Sequence, residues 1–193
     1  MIIRKMFRFE NAHIVRLCST RKCKTSIHGH SYKVEVLFES HALDNAGMIY
    51  DFGLIKHTIE DIFDSFDHTI TLWVEDDAQY IADMKKHSLR YIVLPYSPSA
   101  EQFARIFFVL VDRVFAKMIS HNGESGVSLH SIVVHETDTG YAQAFRDDAY
   151  NKAMGEIDIE QIEVSDEIFC TTKIENFWQK LKSNESFKNP LEV

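Results

Sequence analysis

The chain has 193 residues, 45% of them hydrophobic and 26% charged, which fits one folded domain with or without an appendage and excludes an intrinsically disordered chain. A formal net charge of −8 lacks the basic footprint that nucleic-acid tracking requires, although a small phosphorylated ligand needs only a few local cations. Three cysteines give no disulfide framework, Met1 to Phe9 has no signal-peptide core and the central apolar run Ile106 to Val111 is too short for a bilayer, so a cytoplasmic protein with neither nucleic acid nor membrane as partner is expected.

Met1 to His13 reads as a strand, with Ile3, Phe7 and Phe9 alternating with Arg4, Arg8 and Glu10. Cys18 to Ser26 (CSTRKCKTS) is short-sided and basic and reads as a mobile loop. Ser31 to Ser40 is the clearest strand, with Tyr32, Val34, Val36 and Phe38 on one face. The two strands are expected to pair antiparallel across the loop. Asp51 is a fitting N-cap for a helix running to about Phe66, whose Leu54, Ile55, Ile59, Ile62, Phe63 and Phe66 share a face. A second helix begins at SPSAEQ, where Ser99 and Gln102 have capping-box spacing, and Phe103 to Met118 traces its buried stripe. Leu129 to His135 and Tyr141 to Phe145 read as two further strands joined by a turn.

The predicted order is therefore strand, strand, helix, helix, strand, strand, an α+β subunit spanning residues 1–146. Two segments fall outside it: an insertion, Trp73 to Tyr96, and a C-terminal extension, residues 147–193, with an amphipathic stretch near Ile174 to Leu181. Both are expected on the outside of the subunit, extending an oligomer interface.

His28-Gly29-His30 lies at the start of the best strand, where residues two apart point the same way, so both imidazoles can meet one ion. Gly29 between them leaves room for close approach of another chain segment or a ligand. His13 ends the preceding strand with the parity of Phe7, Phe9 and Asn11, which places it across from that pair. Three neutral imidazoles with an open fourth position form a catalytic zinc pattern. With ten histidines in the chain, an accidental His-x-His is common, and spacing alone leaves ordinary surface or core histidines as the other reading.

FENAH (Phe9 to His13), HGHSY (His28 to Tyr32), GMIYDF (Gly47 to Phe52), FDHT (Phe66 to Thr69), SPSAE (Ser97 to Glu101) and HET (His135 to Thr137) follow one another in the chain. In that order they resemble the F-x-A-A-H, H-G-H-x-Y, G-M-hydrophobic-x-D-F, L-D-H, P-T-x-E and K-E-T motifs of the 6-pyruvoyl-tetrahydropterin synthase / 6-carboxy-5,6,7,8-tetrahydropterin synthase family. The resemblance covers most of Met1 to Arg146. It implies the tunnelling fold, in which three subunits close a twelve-stranded barrel with helices outside and two trimers stack as a homohexamer. It also implies active sites between subunits and a zinc-dependent lyase acting on 7,8-dihydroneopterin triphosphate.

The resemblance further implies roles. His13, His28 and His30 match the zinc ligands. Cys23 matches the general base, flanked by Lys22 and Lys24, whose charge favours a thiolate. Four residues separate Cys23 from His28 where the family commonly has three or five, and Cys18 stays a second choice. Asp67 and His68 match an Asp-His pair assisting proton transfer, and Glu136 matches the carboxylate that anchors the pterin's guanidine-like edge, with Thr137 assisting. Arg21, Lys22 and Lys24 are cations for the triphosphate or simply a solvated loop.

Two lyases share these motifs. One forms 6-carboxy-5,6,7,8-tetrahydropterin, losing triphosphate and acetaldehyde, for 7-deazaguanine (queuosine) biosynthesis; the other forms 6-pyruvoyl-tetrahydropterin, losing triphosphate only. The Asp51-Phe52 wording and compact Cys loop favour the first. A branch with Glu as base is disfavoured because no acidic residue lies between His13 and His28. A non-catalytic pterin- or purine-binding protein is the rival of another class. A zinc hydrolase would need a carboxylate beside the metal, for which Glu10 is the near candidate.

Overall fold

The computed structural model describes every residue from Met1 to Val193. Strands β1 (Ile2–His13) and β2 (His28–Glu39) pair antiparallel from end to end, with His13 opposite His28. Their alternation is the expected one: Phe7, Phe9, Asn11 and His13 of β1, and Tyr32, Val34, Val36 and Phe38 of β2, are all buried. The connecting segment is more ordered than its composition suggested. Arg21–Thr25 forms a helical turn, α1, tied by Lys24 N–H to the Thr20 carbonyl at 3.1 Å and by the Thr25 hydroxyl to the Arg21 carbonyl at 2.6 Å. These bonds lie within the segment itself, where side chains with short polar arms compete for the backbone.

Helix α2 (Phe52–Phe66) starts at Asp51, whose carboxylate accepts from Gly53 N–H at 2.6 Å. The insertion, Trp73 to Tyr96, begins at the end of β3 (Thr69–Trp73) and comprises α3 (Ala78–His87) and β4 (Tyr91–Leu94). It joins the sheet instead of lying on its outside. β3 pairs parallel with the end of β1 at Asn11↔Thr69 and Ala12↔Ile70, and β4 pairs parallel with β3. Parallel neighbours need a long crossover, and α3 supplies it. Helix α4 (Ala100–Ala116) is capped by Ser99, which accepts from Gln102 N–H, and is followed by the hairpin β5 (Ser128–Thr137) and β6 (Gly140–Phe145). The Gln102 side chain accepts from Arg105 instead of closing the box.

The extension continues through α5 (Arg146–Ala149), β7 (Glu163–Val164), α6 (Asp166–Thr171) and α7 (Phe177–Lys182). The seven strands form one sheet in the order β6-β5-β2-β1-β3-β4-β7. Helices α2 and α4 cover one face, and their Phe63, Phe66, Phe103 and Phe107 pack on Phe7, Phe9 and Tyr32; Phe9 and Tyr32 stack with centroids 4.8 Å apart. The extension enters the same core: Phe177, Trp178 and Leu181 are fully buried, and the Trp178 indole N–H donates to Ser65 Oγ at 2.9 Å. The buried Asp61 carboxylate accepts from the Lys173 and Ile174 amides at 2.9 and 2.8 Å. No helix is long and apolar enough to cross a membrane.

Candidate metal centre

The β1–β2 ladder brings the three histidines together at one end of the sheet. His13 stands opposite His28, and His30 is two pairs further along, opposite Asn11. The side-chain alternation of both strands turns the three rings to the helix-covered face, and one ligand atom from each lies within 4.8 Å of the others. His13 is fully buried. Its Nδ1–H donates to the Pro98 carbonyl at 2.6 Å, which fixes the tautomer and leaves Nε2 as a bare lone pair. That Nε2 is the one buried side-chain nitrogen or oxygen in the chain without a hydrogen-bond partner. His28 donates through Nδ1 to the Ser26 carbonyl at 3.0 Å, which likewise frees its other nitrogen.

Electrostatics favour the neutral rings that ligation requires. Burial lowers the His13 pKa from 6.5 to about 4, against the opposing pull of the Pro98 carbonyl and with help from His28 and His30. Burial also lowers His30, opposed by the Glu136 carboxylate. An orphaned buried nitrogen beside two converging imidazoles fits a borderline-soft divalent cation, and the cluster could hold one.

Glu136 lies on the open side of this cluster. Its Oε1 is 3.7 Å from His13 Nε2 and 3.9 Å from His30 Nε2, and accepts from the Tyr32 hydroxyl at 3.1 Å. Burial, reinforced by that carboxylate, raises the Tyr32 phenol far above its ordinary range, so it stays a donor and holds Glu136 in place. A cavity of about 360 Å³ opens here, lined by Cys18, Cys23, His28, Ser99, Glu101 and Glu136 among others. Cys18 and Cys23 both line it, drawn together by the Val15 amide donating to the Cys23 carbonyl at 3.1 Å and the Cys18 amide to the Val15 carbonyl at 3.2 Å.

Other expected residues lie elsewhere. Thr137 does not line this cavity; its hydroxyl accepts from the Thr139 amide at 3.3 Å and so serves the β5–β6 turn. Arg21, Lys22 and Lys24 do not line it either. Glu10 is bonded to Ser31 Oγ at 2.7 Å on the sheet face away from the helices, so the carboxylate beside the histidines is Glu136. Asp67 and His68 form the expected pair, with His68 Nδ1–H donating to Asp67 Oδ2 at 2.8 Å. His68 lines a second cavity of about 520 Å³, shared with Glu10, Ser31 and the α3-side residues Met84, His87 and Ser88. Within one chain, the structure does not bring His68 and Cys23 to a common cavity. Two further functional contacts have different visibility in the sequence. Tyr32 has the parity of His28 and His30 and could have been found from it; the Pro98 carbonyl is backbone, which no residue pattern announces.

Comparison with known proteins supplies the context. Residues 2–147 match the family model described as 6-pyruvoyl tetrahydropterin synthase. A relative from Helicobacter pylori (strain J99 / ATCC 700824), named 6-carboxy-5,6,7,8-tetrahydropterin synthase, is 38% identical over 151 residues, 78% of this chain and 76% of its own length. A protein of the same name from Aquifex aeolicus is 27% identical over 160 residues, 73% of this chain and 95% of its own. Among solved structures, an uncharacterized protein from Wolinella succinogenes superposes with a TM-score of 0.57 at 18% identity, covering 76% of this chain and 98% of that one. The Caenorhabditis elegans 6-pyruvoyl tetrahydropterin synthase superposes with a TM-score of 0.53 at 19% identity, covering 75% and 94%. The architecture is thus the tunnelling-fold subunit, with the insertion and extension added to it.

Proposed function

The chain belongs to the 6-pyruvoyl tetrahydropterin synthase family, and we propose on that footing that it is a zinc-dependent lyase forming 6-carboxy-5,6,7,8-tetrahydropterin from 7,8-dihydroneopterin triphosphate. The observation that carries the reading is the buried, unpartnered Nε2 of His13 facing His28 and His30. The names of the curated relatives favour the carboxy product, and queuosine-type biosynthesis in the cytoplasm is the setting that product suits.

Zinc held by His13, His28 and His30 would supply a Lewis acid that lowers the pKa of hydroxyls on the substrate side chain. The protein's own groups do the rest. Glu136, steadied by Tyr32, offers two oxygens to the N–H edge of the pterin, a bidentate fit. Cys23, in the same cavity as His28 and Glu136, takes a proton from the carbon beside the ring. The Asp67 carboxylate holds the His68 tautomer with Nε2 free to exchange a proton.

Cys23 and His68 line separate cavities, one reached by His28 and the other by His30, and a second copy of the chain would bring the two groups to one substrate. The strand edges suit such closure. β6 pairs only with β5, and β3 covers β1 only at Asn11 and Ala12, which leaves Ile2 to Arg8 without a ladder partner on that side. A ring of three copies, stacked as a hexamer, would use both edges, and the mass of the intact particle in solution checks it. The reaction itself is tested by incubating zinc-loaded protein with 7,8-dihydroneopterin triphosphate and assaying acetaldehyde. Acetaldehyde released together with triphosphate supports the reading. Triphosphate alone would indicate 6-pyruvoyl-tetrahydropterin formation, and binding without turnover a pterin-binding protein.

A further inference from the structure

The turn that carries Asp67 and His68 is held in an uncommon conformation by a side chain from the insertion. His68 has φ +52°, in the left-handed region that a residue with a Cβ seldom occupies. Such a conformation persists only when its surroundings over-determine it. Three bonds to the sheet edge or within the pair do part of this. The His68 amide donates to the Glu10 carbonyl at 2.8 Å, the Glu10 amide donates to Asp67 Oδ1 at 2.7 Å, and the His68 imidazole bonds Asp67 Oδ2.

The Asp67 carbonyl is held twice more, by the Thr69 hydroxyl at 3.0 Å and by Arg90, which follows α3 at the threshold of β4. Its Nε donates to the Asp67 carbonyl at 3.0 Å and its Nη2 to the Asp64 carbonyl at 2.6 Å. Asp64 lies in the last turn of α2 and Asp67 is its C-cap, whose amide donates to the Asp64 carbonyl at 3.0 Å; at this end of a helix the dipole favours a cation. A third nitrogen, Nη1, donates to Thr171 Oγ1 of α6 at 2.9 Å, and Ser88 Oγ fixes the Arg90 backbone by donating to its carbonyl at 2.8 Å. One planar fork thus joins the helix end, the insertion and the C-terminal extension. A lysine, with one nitrogen, cannot span the three acceptors.

We propose that Arg90 is a positioning residue: by holding the Asp67 carbonyl it keeps His68 in its left-handed conformation and its imidazole aligned on Asp67. This gives the insertion and extension a shared task in the chemistry, and it rests on the reading of Asp67 and His68 as the proton-transfer pair. Without the fork only the Thr69 hydroxyl holds the Asp67 carbonyl, and rotation about the Asp67–His68 peptide relaxes φ towards the ordinary right-handed or extended range, so that the imidazole leaves its carboxylate.

The test compares wild type with Arg90→Met and Arg90→Lys. Steady-state kinetics on 7,8-dihydroneopterin triphosphate are combined with the 15N spectrum of histidine-labelled protein, in which the Nδ1–H tautomer of His68 has its own signature. Arg90→Met is expected to lower kcat by roughly 10- to 100-fold, as misplacement of a reacting group does, with KM and metal content near wild type and the His68 tautomer no longer single. Arg90→Lys should fall between, and it carries the comparison if the methionine variant does not fold. An unchanged tautomer, with or without a loss of kcat, overturns the positioning role. A lost tautomer with unchanged kcat overturns the link to catalysis. If wild type shows no turnover, the proposed reaction fails, whereas the spectra still decide whether Arg90 holds His68.

Discussion

His13 concentrates the residue-scale physics of this protein: it is fully buried, its Nδ1–H is bonded to Pro98, and its other nitrogen is bare. Burial holds its pKa at about 4, below the ordinary 6.5, so the sign of the pH effect follows. Below pH 6.5 the unfolded chain takes up a proton at this position that the folded metal-free chain refuses. The stability contributed by a neutral His13 is full above 6.5 and is lost as pH falls towards 4, by about 3 kcal/mol for this group. Denaturant unfolding of metal-free protein should therefore show stability falling over that window, with a shallower fall in His13→Gln; identical slopes for the two proteins would contradict it. The location of His13 was readable from strand parity with Phe7, Phe9 and Asn11, and that of His28 and His30 from their spacing. The fixing carbonyl of Pro98, distant in sequence, was not readable. Nor does spacing choose between Cys18 and Cys23, since the turn at Val15 brings both residues to the wall of one cavity.

Elements followed the sequence where hydrophobic period and caps agreed. Alternation in β1 and β2, the Asp51 cap of α2 and the Ser99 cap of α4 each have a local cause, and each appears where the residues place it. β3 and β4 did not stand out because TITLW and YIVL are only five and four residues long, too short for periodicity to separate strand from helix. Their pairing is parallel and depends on partners supplied by β1 and α3. α7 is the opposite case: its amphipathic stretch was visible, but its destination was not. Fully buried Trp178 packs there and donates to Ser65, whose hydroxyl donates in turn to the Asp61 carbonyl at 2.6 Å. Trp178→Ala should cost about 3–5 kcal/mol by cavity formation and loss of that bond, read as a lower urea midpoint. A midpoint shift near zero would mean that α7 is not part of the cooperative core.

On the scale of the whole molecule, the tunnelling-fold sheet carries two additions that serve its interior as well as its edge. The extension contributes Ile159, Ile162, Ile168, Phe177, Trp178, Leu181 and Phe187 to the main core, and the insertion lengthens the sheet beyond β3 and walls the His68 cavity. Neither role could be read from the segments alone, because each is defined by surfaces that α2 and β1 present. The candidate metal centre has the same character: its three histidines lie on one hairpin, whereas Pro98 and Glu136 arrive from other places in the fold. The account as a whole depends on that hairpin binding a metal. Elemental analysis of protein purified without chelator, alongside His13→Ala, tests this most directly: the account predicts one zinc per wild-type chain and little in the variant, and equal zinc in both, or none in wild type, would contradict it.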